Sequence, residues 1–515
     1  MQCYAILIDT VSIQQYIFGS NKLKENLGAS YIVSNIYERQ LKNALRRVFS
    51  HQFNEDDFNR WRNDPDYIAF ENGHPFEIAY IGGGNAMLLF KEKAKAEEFV
   101  REWTKLLLVE APGLNTATAI GEFDTKEFDT SKKALFEILT MNKYRYAPLT
   151  TIPRHGITAE CRRSGLSMDT YYPTEKTYIS SVVNAKINAV AEAKQRMQEM
   201  FQDVLGDTYC FTDEIGKLGQ KVGEDNYIAI VHIDGNSMAD RFASQSSLEA
   251  LRRLSKSVHE ATIKSVKEMI RAIKNEKAML TEFLGVECFN KEGDKEILPF
   301  RPIIIGGDDI TFVSEGRLGI WLAEQFLKAF EKQTVTDKKP LDASAGVAIT
   351  KTKYPFYRGY ALSKQLCQSA KAKRRAKRRK INSKDSWIDF HITSGGVSGS
   401  LEQIRAQYVV SQGNLLMRPY CLNAERVEYD FETLKENLKI LAKLPKNKIH
   451  EMREVLTLGE NHTKMFVKDL EARGDDGKIP EIVDKNYRNS LFENSETPYF
   501  DMIELMEFYP GLKEA

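Results

Sequence analysis

Three carboxylates, Asp234, Asp308 and Asp309, have the types and spacing that chemistry needs. Asp234 ends the apolar run Tyr227–Ile233; Asp308 and Asp309 follow Gly306 and Gly307 at the turn of a hairpin read over residues 301–313. On adjacent strands of one sheet these side chains would converge. Converged carboxylates repel one another, so stability alone gives no reason for the cluster. A pair of divalent ions, Mg²⁺ or Mn²⁺, offsets that repulsion through hard oxygen ligation. Two such ions can activate an attacking hydroxyl and steady a leaving pyrophosphate. Gly306 and Gly307 carry no Cβ, so a triphosphate can approach the backbone there. Gly235 and Asn236 lead from Asp234 into a helix, and N–H groups at that start are expected to hold phosphate oxygens. Lys371, on a later helix, adds a point charge that reaches a triphosphate. Each feature alone has a plainer reading. Gly-Gly-Asp-Asp is an ordinary turn composition, Asp234 is an acceptable helix N-cap, and Lys371 opens the basic run 371–380. The order strand–Asp, helix, hairpin–Gly-Gly-Asp-Asp is what points to metal-assisted nucleotidyl transfer.

The elements that must position these residues recur twice. In the first part, a strand at Tyr4–Ile8 precedes a helix from about Ser12 to Phe18, and a second helix opens at Leu27-Gly28-Ala29-Ser30. A hairpin (77–81 and 86–90) turns at Gly82-Gly83-Gly84-Asn85, a helix spans about 94–108, and a strand spans about 116–123. Residues 53–74 read as an insertion. The same order returns at Tyr227–Ile233, Ser247–Ala272, the second hairpin, Leu318–Lys332 and Leu341–Thr350, followed by a helix at 357–380 and a strand at 387–392. The sequence therefore predicts an α+β protein built from two ferredoxin-like palm domains of the nucleotidyl cyclase type. The expected divisions are a first palm at 1–125, a helical connector at 126–222, a second palm at 223–395 and a helical C-terminal domain at 396–515. The first copy keeps Asp9 at its strand end but has no carboxylate in its turn. It is expected to be catalytically silent, and to hold a second nucleotide through Gly28, Ser30, Gly83 and Gly84 or merely to pack against the second palm.

Composition narrows the class. The 515 residues carry 73 Lys and Arg against 72 Asp and Glu, so the whole chain is no electrostatic nucleic-acid binder. The run 371–380 is strongly basic but lacks interleaved aromatics, which favours a solvated face over base stacking. Six scattered cysteines share no metal-type spacing, so neither a disulfide framework nor a zinc ribbon is expected. No stretch is long and apolar enough to cross a bilayer, and a cytoplasmic location with no membrane partner is expected.

Several segments, in order, resemble the large polymerase/cyclase subunit of type III CRISPR complexes, the palm-domain cyclic oligoadenylate synthases. They are Ser12–Ile17 with Leu27–Tyr31; Tyr80–Asn85; His232–Met238; Arg301–Asp309; Ser344–Ala348; Ser369–Lys371; and Leu416–Tyr420. The resemblance implies joining of ATP into cyclic oligoadenylate signals for antiviral defence. It implies metal binding by Asp234, Asp308 and Asp309, triphosphate contact by Lys371, and two ATP molecules held between facing palms. Guide or target RNA and other CRISPR subunits are the implied partners. The chain departs from the family in three ways. It opens at the first palm, so an HD nuclease is not expected. Asn236 replaces the second Asp of the family's Asp-Gly-Asp turn, and Cys161 alone stands where four cysteines often bind zinc. Two alternatives stay open: a non-catalytic nucleotide-binding scaffold, and a diguanylate cyclase-like enzyme. The second is disfavoured by Ile310 and Phe242, which stand where that family uses Phe and a guanine-reading Asn.

Overall fold

The computed structural model describes residues 2–145, 150–151, 156–220, 226–377, 385–393, 399–411, 413–422, 430–472, 487 and 489–511. Its architecture is α+β, with two palm sheets joined by a mostly helical segment and followed by a helical C-terminal part. The first sheet has the order β2-β3-β1-β4, all antiparallel, from β1 (Gln2–Val11), β2 (Phe76–Gly82), β3 (Asn85–Phe90) and β4 (Asn115–Asp124). β1 is apolar on both faces because both are covered. Ile6 and Ile8 point into one core and Ala5 and Leu7 into another, as strand alternation requires. Helices α1 (Ile13–Phe18), α2 (Leu23–Asn35), α3 (Leu41–Phe49), α4 (Glu55–Asn63) and α5 (Lys93–Glu110) supply the first core through Phe18, Leu27, Leu45, Phe58 and Phe99. The insertion read at 53–74 thus contains a helix of its own.

The other face of the sheet is covered by α6 (Phe128–Arg145), whose Leu135 and Leu139 pack with Ala5 and Leu7. The sequence assigns the stretch 131–141 to a connector; the structure instead lays it on the first palm, where the apolar second face of β1 and β4 needs a cover. Between the palms lie a small hairpin, β5 (Thr170–Tyr172) with β6 (Thr177–Ile179), helices α7 (Ser181–Asn188) and α8 (Val190–Leu205), and the short strand β7 (Tyr209–Cys210). The hairpin is sheet structure in a region read as helical, with strands too short to show alternation.

The second palm contains β8 (Tyr227–Gly235), α9 (Met238–Ala243), α10 (Leu248–Asn275), α11 (Lys277–Leu284), the minor strands β9 (Lys291–Glu292) and β10 (Lys295–Ile297), the hairpin β11 (Phe300–Gly306) and β12 (Asp309–Glu315), α12 (Gly319–Glu331), β13 (Ala343–Lys351), α13 (Phe356–Lys377) and β14 (Trp387–Ile392). Its sheet order is β11-β12-β8-β13, extended by β14, which runs parallel to β13, and by a short strand at Tyr420–Cys421. Helices then dominate to the C-terminal part, including Phe431–Leu441, Lys446–Thr457 and Glu460–Ala472. Residues 378–380 of the basic run and the glycines at 395–396 lie outside the described residues.

The two palms correspond almost position by position. Asp9 pairs with Asn85 as Asp234 pairs with Asp309. Both hairpins carry a bulge at the same place, between Ile78 and Tyr80 and between Pro302 and Ile304. Ser12 (φ 57°) and Ser237 (φ 59°) both start a short helix from the left-handed region, and Leu23 and Leu248 open the long helices at the same interval after Asp9 and Asp234. The contacts between palms are reciprocal: α10 lies on β2, and α2 lies on β11. The duplication has therefore produced an intrachain dimer in which the two glycine-rich turns face a shared space.

Candidate active site between the palms

Strand pairing alone brings the carboxylates together. Asp234 and Asp309 are direct partners across β8 and β12. Asp308 stands at the turn with its carboxylate over Gly235, where a Cβ would lie 2.8 Å from it. Burial, and next the negative charge of Asp234, push the Asp308 carboxyl up from 3.8 to about 7. Asp309 is also pushed well above the ordinary carboxylate range, by burial and then by both neighbours. Lys371 answers part of that charge: its Nζ donates to Asp234 Oδ2 at 2.6 Å and to the Gly235 carbonyl at 3.0 Å. His232 lies on the core side of Asp309 without a hydrogen bond to it. Its Nδ1 is 3.0 Å from Thr311 Oγ1 and 3.4 Å from Asp309 Oδ1, and burial lowers its pKa to about 4, so the ring is neutral.

Asp309 Oδ1 is buried and has no hydrogen-bond partner. An oxygen-only donor set with an orphaned carboxylate oxygen, still short of positive charge despite Lys371, fits a hard divalent cation. The side chains themselves do not stand in a finished ligand cage: among the described residues, no three His, Cys, Asp or Glu side chains are arranged to hold a metal ion.

The first palm offers a direct contrast. Gly84 and Asn85 occupy the positions of Asp308 and Asp309, and Asp9 is ion-paired with Lys143 Nζ at 2.6 Å. Lys143 lies on α6 as Lys371 lies on α13. One carboxylate and one lysine cancel there, which leaves no surplus charge for a metal.

A cavity of about 680 Å³ lies between the palms, within the size range of small-molecule sites. Of the residues singled out in the sequence, Ser30, Gly83, Gly84, Gly306, Gly307, Asp308 and Asp309 line it. Three do not serve as read. Gly28 does not open a helix: α2 begins at Leu23, and a Cβ at Gly28 would stand 1.8 Å from the Lys186 carbonyl of α7. Its role is close helix packing. The N–H groups of Gly235 and Asn236 are already committed to the carbonyls of Asp308 (3.2 Å) and Asp342 (3.0 Å), so they hold the turn and not a phosphate. The Asn236 side chain accepts from Ser344 Oγ at 2.9 Å, inside the sheet and not among the carboxylates.

Other residues at the cavity or at its two turns had not been singled out. Ser255 of α10 lies at the Gly82 turn, 3.5 Å from where a Cβ would be, and occupies in α10 the position that Ser30 has in α2. Tyr37 donates to the Gly84 carbonyl at 2.6 Å, and Thr262, its counterpart in α10, donates to the Gly307 carbonyl at 2.6 Å. Tyr37 is aimed by a π-helical turn at Ile36–Gln40, a distortion frequent at functional sites. Aligning the two halves on Asp9 and Asp234 would have marked all three.

Fold and site together define a tandem-palm protein with one carboxylate-bearing and one carboxylate-poor turn over a common cavity. More narrowly, residues 227–382 match the family model described as Cas10/Cmr2, second palm domain. Solved structures agree on the fold over almost the whole chain. The Csm1–Csm4 cassette in complex with cA4 superposes with a TM-score of 0.52 at 14% identity, covering 98% of this chain and 69% of that one. The same cassette in complex with AMPPNP gives 0.52 at 13% identity, covering 98% and 70%. No curated protein sequence matches the chain. Residues 227–382 are thus similar to that second palm domain, and the fold of the chain as a whole is similar to that of the Csm1–Csm4 structures, in line with the sequence motifs.

Proposed function

We propose that this protein is a nucleotidyltransferase that joins ATP into oligoadenylates, cyclic products among them, within a CRISPR-type defence system. The observation that carries the reading is the meeting of Asp234, Asp308 and Asp309 on paired strands, with Asp308 and Asp309 lining the inter-palm cavity and their carboxyl groups raised by burial and by the neighbouring negative charge. A purely structural turn has no use for that concentration of charge. The relatives support the substrate class, since their structures hold cA4 and AMPPNP.

In this reading Asp234, Asp308 and Asp309 hold two Mg²⁺ or Mn²⁺ ions. Bound divalent cations supply Lewis acidity toward the attacking hydroxyl and the leaving pyrophosphate. Lys371 moves its charge from Asp234 to the triphosphate, and Gly306 and Gly307 leave room for the nucleotide. The first palm's turn, with Ser255 beside it, seats the second nucleotide. Other CRISPR subunits and guide or target RNA are the proposed partners, in the cytoplasm.

The test is incubation with ATP or GTP and Mg²⁺ or Mn²⁺, with and without target RNA, and identification of products by mass. Oligoadenylates from ATP are expected. Asp308→Ala with Asp309→Ala should abolish them while far-UV circular dichroism stays unchanged. Synthesis retained in that double variant overturns the assignment. A guanylate product favours the cyclase alternative, and ATP bound without any product favours the scaffold.

A further inference from the structure

Glu77 of β2 and Arg301 of β11 occupy the same position in the two hairpins, counted from the turn and past the shared bulge. Glu77 is neutralised by Arg252 of α10, in an ion pair between palms whose side chains are both 1% exposed. The position in α2 that corresponds to Arg252 is Leu27, counted from Asp9 as Arg252 is from Asp234. In this half of the molecule the repeat thus places a cation on the strand and an uncharged side chain opposite.

Arg301 is 2% exposed, and its Nε and Nη2 have no hydrogen-bond partner. Its guanidinium carbon lies 5.4 Å from the centre of the Phe211 ring, which offers a face but no acceptor. Asp213, an opposing charge acting on it, is ion-paired with Lys194 at 2.9 Å. A buried guanidinium with free donors is costly unless something accepts from it. Arg301 and Leu27 both line the inter-palm cavity. Along β11, Arg301 is about 17 Å from Gly306 at roughly 3.3 Å per residue, so the group it meets is not the one held at the carboxylates.

We infer that Arg301 is an anion-binding residue of the inter-palm cavity, which takes a phosphate group of the bound nucleotide or oligonucleotide at the end remote from Asp308 and Asp309. A planar guanidinium fork suits two oxygens of one phosphate. The inference rests on the nucleotide reading of this cavity but not on catalysis there. The phosphate has two possible sources, the 5′-triphosphate of a mononucleotide or the phosphodiester of a growing chain, and two probes separate them.

The experiment compares wild type with Arg301→Met and Arg301→Lys by calorimetric titration with ATP and with a triadenylate bearing a 5′-hydroxyl, and by thermal unfolding with no ligand. Arg301→Met should bind ATP, the triadenylate or both about 10- to 100-fold more weakly, the size of a lost charge-assisted pair. Its unliganded melting temperature should hold or rise, because an unpaired buried charge is gone. Arg301→Lys keeps the charge without the fork and should fall between. Equal affinity of wild type and Arg301→Met for both probes overturns the inference and leaves the proposed reaction standing. A lower unliganded melting temperature with unchanged affinity also overturns it, since Arg301 then serves structure. Failure of wild type to bind either probe overturns both readings.

Discussion

Asp308 shows how a single residue is set against its own fold. Its carboxyl is raised from 3.8 to about 7, by burial first and by Asp234 second. Between those values the unfolded chain has released the proton and the folded one has not, so stability falls as pH climbs from about 4 toward 7 and stays low above that. Asp308→Asn should therefore stabilise the ligand-free protein at pH 8 by about 1–2 kcal/mol, discounted for partial exposure of the cluster, and by almost nothing at pH 4. Urea denaturation at the two pH values reads the difference, and a loss at pH 8 would mean that the ionised form is held by partners. Lys371 makes the complementary case. It is the cation that pairs directly with Asp234 without metal. Lys371→Met should cost roughly 1 kcal/mol at pH 8, as loss of a partly exposed pair does, and Mn²⁺ should raise the variant's melting temperature more than the wild type's. An equal response to Mn²⁺ in both would detach Lys371 from the metal reading.

At the scale of elements, much of the fold was legible because the palm strands are long, apolar and bounded by glycine turns. The hairpin residues 82–85 and 306–309 fixed the registers Asp9–Asn85 and Asp234–Asp309, and with them the place of the carboxylates. What escaped the sequence were properties of packing. α6 is amphipathic whether it bridges domains or covers a sheet, so only the three-dimensional arrangement could show that it lies on β1 and β4. The glycine at position 28 looks like a phosphate-loop residue in sequence, and only the approach of Lys186 on α7 shows it to be a packing residue. That approach gives a prediction of unusual sign. Gly→Ala inside a helix ordinarily adds about 1 kcal/mol, but at Gly28 the new Cβ meets backbone, and α2 and α7 must separate. Gly28→Ala should cost about 1–3 kcal/mol, the range for overpacked interiors, read as a lowered melting temperature. A stabilised variant would show that the two helices are not in contact in solution.

For the molecule as a whole, the question is what keeps the two palms together over the cavity. Apolar packing contributes, since Leu27 of the first palm and Ile230 and Ile303 of the second share one core. The Arg252–Glu77 pair crosses the same boundary with full burial, and Arg252 also donates to the carbonyls of Ala79 at 3.1 Å and Tyr67 at 2.8 Å. One side chain of α10 thereby fixes the first palm's hairpin and its insertion against the second palm. Removing one partner of such a pair leaves an uncompensated buried charge and costs about 3–5 kcal/mol, whereas removing both costs far less. Glu77→Leu should accordingly be severe, and Glu77→Leu with Arg252→Met should recover most of the loss in urea denaturation. A coupled recovery also predicts that wild-type palms unfold in one transition and that Glu77→Leu splits it into two, because the charge left on α10 opposes closure of the interface. If the two losses simply add and the transition stays single in every variant, the pair is incidental, and the shared apolar core alone holds the cavity shut.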